Sequence, residues 1–244
     1  SLYQDTPHLI FNYDADTDWN SGVTNLDTST TAGDVKLPLA PTVYASSVSY
    51  QAGKYGQGAS MGLSADYVYT LQGGTTALFR NYTKGNVWSA LTNPPVSIGD
   101  GGGLAAVGSD IYALQGGNTN GFKKYSNGAW SDLAVVPVNV TTGGALVYGG
   151  GDFLYAFQGG STAFYRYSIS GNTWLAMTVA PGIIGAGGSL VWTNGDFIYG
   201  VQGGGASNAF YRYSISGNSW ATLAAPPWNV GTGAAMAWGG ANGI

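Results

Sequence analysis

The chain has 244 residues, of which only 8% are charged, and its formal net charge is −4. Its eight Lys and Arg residues are scattered, which argues against a nucleic-acid partner, and no apolar run approaches the ~20 residues that span a bilayer. It has no cysteine and one histidine, so disulfides, thiolate-bound metals and His-based zinc or copper sites are not expected. The 41 glycines and the high aromatic content are typical of short strands joined by tight turns.

The first 19 residues contain Gln4, Tyr13 and Trp19, in an order of residue types that recurs four times from residue 57 onward. We therefore expect this N-terminal segment to supply strands of an incomplete repeat.

Three carboxylates alternate along the chain between Tyr13 and Trp19, at Asp14, Asp16 and Asp18. This is the opening spacing of many calcium loops, and three oxygen ligands suit a hard cation. However, Trp19 stands where an EF-hand loop has its turn-forming Gly, and no Glu is present to close the site. Two interpretations stay open: a calcium site, and a solvated turn in a protein without a cofactor.

Residues 20–56 do not follow the repeat and are too few to add a full repeat to what surrounds them. They predict an irregular insert or a β-hairpin arm with candidate strands at 35–39 and 43–50. A degenerate sixth repeat is the alternative. Tyr44 and Tyr50 in this insert are candidate ligand-contacting aromatics.

A repeat of 43 or 44 residues organises the remainder of the chain. Each copy carries Gln-Gly-Gly, with a Tyr three residues before the Gln and an aromatic stretch, a turn and a Trp after it. The Gln residues are Gln72, Gln115, Gln158 and Gln202. Such a period with short aromatic strands predicts four-stranded propeller blades.

Within the third copy the four strands are predicted as a first strand in 143–148, a second at 153–157, a third at 163–167 and a fourth near Trp174. An Asp and neighbouring glycines supply the turn between the first two strands, because Asp bonds nearby backbone and Gly accepts a positive φ. The repeated Trp and Tyr side chains are expected to pack between adjacent blades rather than contact a ligand.

The double glycine after an aromatic strand, followed by Tyr and then Trp, resembles the Kelch repeat over about residues 57–244. The resemblance implies an all-β Kelch-type β-propeller of four-stranded blades around a central axis. The sequence departs from the common Kelch pattern at Ser168 and Ser214, where an Asp often follows the Tyr.

The C-terminal end repeats the start of a blade at 232–238 and stops where a second strand would begin. The N-terminal strands predict its completion, which gives five blades in a single domain of residues 1–244 and a ring closed by pairing between the two termini. The alternative is that the open blade accepts the N-terminal strands of another subunit in a head-to-tail chain.

No catalytic set is evident. The copper centre of galactose oxidase, a Kelch enzyme, needs two histidines and a cysteine, which this chain lacks. Arg166 and Arg212 are equivalent repeat positions, so they are not expected to converge on one substrate as the arginines of a sialidase do. The turn aspartates repeat in the same way, which argues against a paired-carboxylate glycosidase. We predict that the protein is not an enzyme.

Trp192 and Trp228, which lie outside the register of the repeat tryptophans, are the further candidates for an exposed ligand contact. Asn81 and Asn139 begin Asn-X-Thr triplets and are candidate N-glycosylation sites.

Together these features predict a non-catalytic extracellular or cell-surface propeller, structural or interacting, with other protein subunits or its own copies as partners in a surface or filamentous assembly. The alternative is a carbohydrate-binding propeller or an accessory domain of a larger secreted enzyme, with glycans as ligands.

Overall fold

The structure is a computed structural model that describes residues 60–64 and 66–238. These residues belong to the larger of two compact units, Tyr44–Ile244. They form sixteen β-strands and no helix, so this part of the chain has no helix able to cross a membrane. The predicted all-β class is confirmed. The prediction of one domain over 1–244 stays a prediction.

The strands form four antiparallel sheets in which neighbours in sequence are hydrogen-bonded neighbours. The first blade contains β1 Ser60–Leu63, β2 Tyr67–Leu71, β3 Leu78–Tyr82 and β4 Val87–Ala90. The second contains β5 Gly103–Val107, β6 Asp110–Leu114, β7 Phe122–Ser126 and β8 Ala129–Asp132. The third contains β9 Ala145–Tyr148, β10 Phe153–Phe157, β11 Phe164–Ser168 and β12 Thr173–Ala176. The fourth contains β13 Ser189–Trp192, β14 Phe197–Val201, β15 Phe210–Ser214 and β16 Ser219–Leu223.

Each blade's first strand contacts the first strand of the next blade, which is the arrangement of a β-propeller. The second strand of each blade is the most buried; in β10 the four residues from Leu154 to Phe157 are all buried. The outer strand is largely exposed, as in β12. Burial is therefore greatest at the second strand of each blade and decreases from there to the outer strand.

Aromatic side chains fill the space between adjacent blades. Phe122 of the second blade lies 4.8 Å from Tyr167 and 4.9 Å from Trp174 of the third, measured between ring centroids. Phe164 repeats this arrangement with Tyr213 and Trp220 of the fourth blade, at 4.8 and 5.0 Å. These edge-on contacts confirm that the repeated Tyr and Trp side chains are inter-blade core.

Gly101 permits a close approach between the second and third blades. Its φ is +75°, and a Cβ at this position would clash with the carbonyl oxygen of Thr141. Gly143 and Gly187 occupy the same place at the next two junctions, with φ of +94° and +86°. The Gly-rich runs are thus needed where one blade's backbone meets the next.

The segment after β16 lies beside the first strand of the fourth blade. The Met236 N–H donates to the Ser189 hydroxyl at 3.1 Å, just as the Leu104 N–H donates to the Ser60 hydroxyl at 2.9 Å. Residues 234–238 therefore lie beside β13 as β5 lies beside β1. The structure describes four complete blades. The composite fifth blade, the closure by N-terminal strands and the insert at 20–56 fall outside the described residues.

Candidate functional site

The first blade exposes an apolar position that every later blade buries. Met61 on β1 is 70% exposed, whereas its counterparts Leu104, Leu146 and Leu190 are each less than 10% exposed because they pack against the preceding blade. Leu63, two residues along the same strand face, is exposed as well. We call Met61 and Leu63 the leading face.

The fourth blade has the complementary surface. Tyr199 and Phe210 stack at 5.7 Å, in the same way that Tyr155 and Phe164 stack in the third blade. The third-blade pair is covered by the Tyr and Trp of the next blade and is fully buried, but Tyr199 and Phe210 are only half-buried. We call Tyr199 and Phe210 the trailing face.

The C-terminal segment borders the trailing face. Gly233 has a φ of +83°, like the equivalent Gly187, but within the described part of the chain no atom lies near the place of its missing Cβ. A Cβ on Gly187, by contrast, would clash with the carbonyl oxygen of Gly231 in the segment after β16. Trp238, which ends the described segment, is 44% exposed. The leading and trailing faces are thus the two ends of the described stack of blades, and both are apolar.

The turn aspartates of the third and fourth blades bind their own blade. Asp152 accepts hydrogen bonds from the Ser168 hydroxyl at 2.6 Å and from the Ser170 N–H at 2.8 Å. The hydrogen bond from Ser168, followed by that from Ser170, lowers the pKa of Asp152 below its ordinary value. Asp196 has the same partners in Ser214 and Ser216. The serines that depart from the Kelch pattern therefore hold the turn carboxylates in place.

The three arginines, one each in the first, third and fourth blades, lie over aromatic rings. The Arg166 Cζ is 4.3 Å from the centroid of Phe153, and the Arg212 Cζ is 4.5 Å from that of Phe197. Arg80 stands over Tyr67 in the same way, at 4.6 Å. Arg80 and Arg166 are the register partners of Tyr69 and Tyr155, so these cations belong to the repeat.

Of the two predicted tryptophan contacts, Trp192 is half-buried between blades. Its indole N–H donates to the Gly195 carbonyl at 2.8 Å, and its ring meets Tyr148 of the third blade edge-on at 5.5 Å. Trp228 lies in the segment after β16 and is 71% exposed. Trp228 is therefore the more accessible of the two, and ligand binding at either stays a prediction.

The two candidate glycosylation sites differ in setting. Asn81 lies inside β3, half-buried, and its amide donates to the Asn86 side chain at 3.5 Å. Asn139 is exposed, and its carbonyl accepts a hydrogen bond from the Gln158 side chain. Modification of Asn139 would need less rearrangement of its surroundings than modification of Asn81.

The other predicted site residues, Tyr44, Tyr50 and the aspartates at 14, 16 and 18, fall outside the described residues. Within 60–64 and 66–238, no three His, Cys, Asp or Glu side chains are grouped as metal ligands. The sequence reasoning did not identify Met61 or Arg80 as functional candidates. Alignment of the four first strands would have shown that Met61 stands at a buried apolar position.

No family model matches the chain, and no curated protein matches it. Solved structures do resemble it. The structure of YjhT aligns with 70% of this chain and 66% of its own length, with a TM-score of 0.59 and 15% sequence identity. This chain thus matches a little less than two thirds of YjhT. The likeness supports a β-propeller fold and nothing finer, so membership of the Kelch family stays a prediction.

Proposed function

We propose that the protein is a non-catalytic interaction propeller of the extracellular space or cell surface, which acts through its open blade faces as a structural subunit. The exposure of Met61 carries the proposal, since the same position is buried by the preceding blade at each of the three described junctions. Removing such an apolar side chain from water is favourable, so the leading face is suited to being covered by another polypeptide segment.

The trailing face supplies the matching partner surface. At the second–third and third–fourth junctions, the stacked Tyr and Phe pair of one blade receives the Tyr and Trp of the next. Tyr199 and Phe210 repeat that stacked geometry. A head-to-tail contact between copies would join a trailing face to a strand-bearing segment of the neighbouring subunit, and such a heterologous contact propagates into a polymer.

The surface chemistry supports this reading. Few charged residues are available to repel identical copies, and all twelve acidic residues are Asp. The two Asn-X-Thr triplets support an extracellular location, where attached glycans would keep such a surface soluble.

Light scattering coupled to size-exclusion chromatography of the full chain tests the proposal. We expect species larger than the 25.1 kDa chain, and we expect Met61→Asp to shift them toward the monomer. Leu175→Asp is the matched control, because Leu175 is an exposed apolar residue on the outer strand β12. A wild-type protein that stays monomeric over the concentration range would refute the structural-subunit role.

Carbohydrate binding is the second candidate, and the exposure of Trp228 favours it, since sugars stack on accessible indole faces. A glycan array with wild type and Trp228→Ala tests it. A hit that survives the substitution would count against Trp228 as the contact.

A further inference from the structure

The structure contains a cleft of about 410 Å³ between the first and second blades, on the side of the molecule that carries the β1–β2 and β3–β4 turns. The first blade contributes Ser64, Asp66, Tyr67, Tyr69 and Arg80 to its lining, and the second contributes Gly108, Ser109, Tyr125, Asn127 and Gly128. This volume falls within the range of small-molecule sites.

The cleft exists because the second blade has short turns. Its β5–β6 and β7–β8 turns have two residues each, Gly108–Ser109 and Asn127–Gly128, and both line the cleft. The corresponding turns of the third and fourth blades have four residues each.

The second blade also lacks a side chain that, in the third and fourth blades, accepts a hydrogen bond from a tyrosine hydroxyl. In the third blade the Tyr167 hydroxyl donates to the Asn172 side chain at 2.7 Å, and the fourth blade repeats this with Tyr213 and Asn218. In the second blade, Gly128 stands at the position of Asn172 and Asn218. Its carbonyl accepts a hydrogen bond from Thr92, just as the Asn218 carbonyl accepts one from Thr178.

Tyr125, the counterpart of Tyr167, therefore lacks the equivalent of the Asn172 amide that accepts from the Tyr167 hydroxyl. No hydrogen bond of that hydroxyl occurs within the part of the chain that the structure describes. Since Tyr125 lines the cleft, its hydroxyl is available to a bound molecule.

Arg80 has unused hydrogen-bonding capacity in the same cleft. Its Nε is buried and has no partner among the described residues. The cation at the equivalent position of the second blade, Lys124, instead pairs with the Asp110 carboxylate at 2.6 Å. No carboxylate among the described residues forms a salt bridge with the Arg80 guanidinium, so this cation is available to a bound anion.

The charge balance favours a single negative charge. Besides Arg80, the charged residue in the lining is Asp66, whose carboxylate is already paired at 2.6 Å with Lys84, a residue outside the lining. These three side chains sum to one positive charge in a protein whose net charge is −4. Guanidinium groups bind carboxylates well. The cleft, which three tyrosines help to line, is larger than an inorganic ion needs.

We propose that this cleft binds a small hydroxylated organic carboxylate, with Arg80 as the anion contact and Tyr125, Ser109 and Asn127 as candidate contacts for hydroxyl groups. The proposal goes beyond the interaction role and does not depend on it, because the leading and trailing faces lie elsewhere on the blades.

Titration calorimetry of the full chain with D-glucuronate, a hydroxylated monocarboxylate, tests the proposal, with D-glucose as the uncharged counterpart. We expect D-glucuronate to bind and D-glucose to bind at least about tenfold more weakly. Arg80→Gln should weaken D-glucuronate binding about tenfold or more, whereas Arg166→Gln, at the same position of the third blade, should leave it unchanged.

Gly128→Asn is a second variant that does not depend on removing Arg80. Gly128 has a φ of +87°, which Asn tolerates, and a Cβ there would meet open space. The new amide should cap Tyr125 as Asn172 caps Tyr167, so the variant should fold and bind D-glucuronate about tenfold more weakly. Absence of D-glucuronate binding to wild type, unchanged binding in Gly128→Asn, or tighter binding of inorganic phosphate than of D-glucuronate would each overturn the proposal.

Discussion

The indole N–H of Trp174 in the third blade donates a hydrogen bond to the carbonyl oxygen of Ala134 in the second, at 2.9 Å. Trp130 and Trp220 make the same bond to Thr92 and Thr178 of the blades that precede them. Each repeat tryptophan thus joins two blades by a polar contact as well as by its ring.

Trp174→Phe should reduce the free energy of unfolding by about 1–3 kcal/mol, because it removes that hydrogen bond and part of the contact with Phe122. Urea denaturation measures the change. Trp228→Phe is the control, since an exposed residue should change the value by less than about 0.5 kcal/mol. Equal effects at the two positions would contradict the inter-blade role of Trp174.

Gly101→Ala should destabilise the protein more than Gly74→Ala. Both glycines have a positive φ, +75° and +71°, so both substitutions carry backbone strain of about 1 kcal/mol. Only at Gly101 would the new Cβ also clash with the Thr141 carbonyl, whereas at Gly74 it meets open space. Thermal unfolding of the two variants isolates the clash, and the same melting temperature for both would exclude it.

Acid should weaken the third and fourth blades through their turn aspartates. Hydrogen bonds, first from Ser168 and Ser214, lower the pKa values of Asp152 and Asp196 below 3.8 in the folded state. A carboxyl group with a lowered folded pKa stabilises the fold above its unfolded pKa, and this contribution is lost as the pH falls through the folded pKa. Denaturation at about pH 6 and about pH 3 should therefore show greater stability at the higher pH.

Ser168→Ala identifies the source of that pH dependence. Without the hydroxyl, the pKa of Asp152 should return toward its ordinary value, and the loss of stability on acidification should become smaller than in wild type. A variant with the full wild-type acid dependence would show that the serine does not act on Asp152.

Alkali should act on the buried tyrosines. Burial, followed by the neighbouring Tyr112 and Asp152, raises the pKa of Tyr167 to about 12. The folded protein favours the neutral phenol, so this contribution to stability is complete below pH 10.0 and is lost as the pH rises toward 12. In a spectrophotometric titration, Tyr167→Phe should lack one of the phenols that ionise at the highest pH in the wild-type protein. Loss of an early-ionising phenol would contradict the burial of Tyr167.

The repeat in the sequence was sufficient to predict the blades. The second strand of the third copy was predicted at 153–157 and is Phe153–Phe157, and the third was predicted at 163–167 and is Phe164–Ser168. The period fixes these positions because Gln158 and its glycines must end one strand before the next begins.

The candidate surfaces needed coordinates. The turn lengths can be counted from the sequence. The absence of a hydrogen-bond partner for the Arg80 Nε among the described residues could not be predicted, because its environment depends on how two blades pack. Trp192 shows the same limit: it departs from the repeat Trp register, yet its ring packs against Tyr148. Local patterns predict strands well, whereas accessibility is a property of neighbouring blades.

The bonds from each tryptophan to the preceding blade also bear on how the fold opens. Each described blade touches mainly the blades beside it, so the energy of the stack approximates a sum of nearest-neighbour terms, as in a linear array of coupled units. The second and third blades each have two such neighbours among the described blades. Their amide hydrogens should accordingly exchange with solvent more slowly than those of the first and fourth, and fraying should advance inward from Met61 and from Phe210.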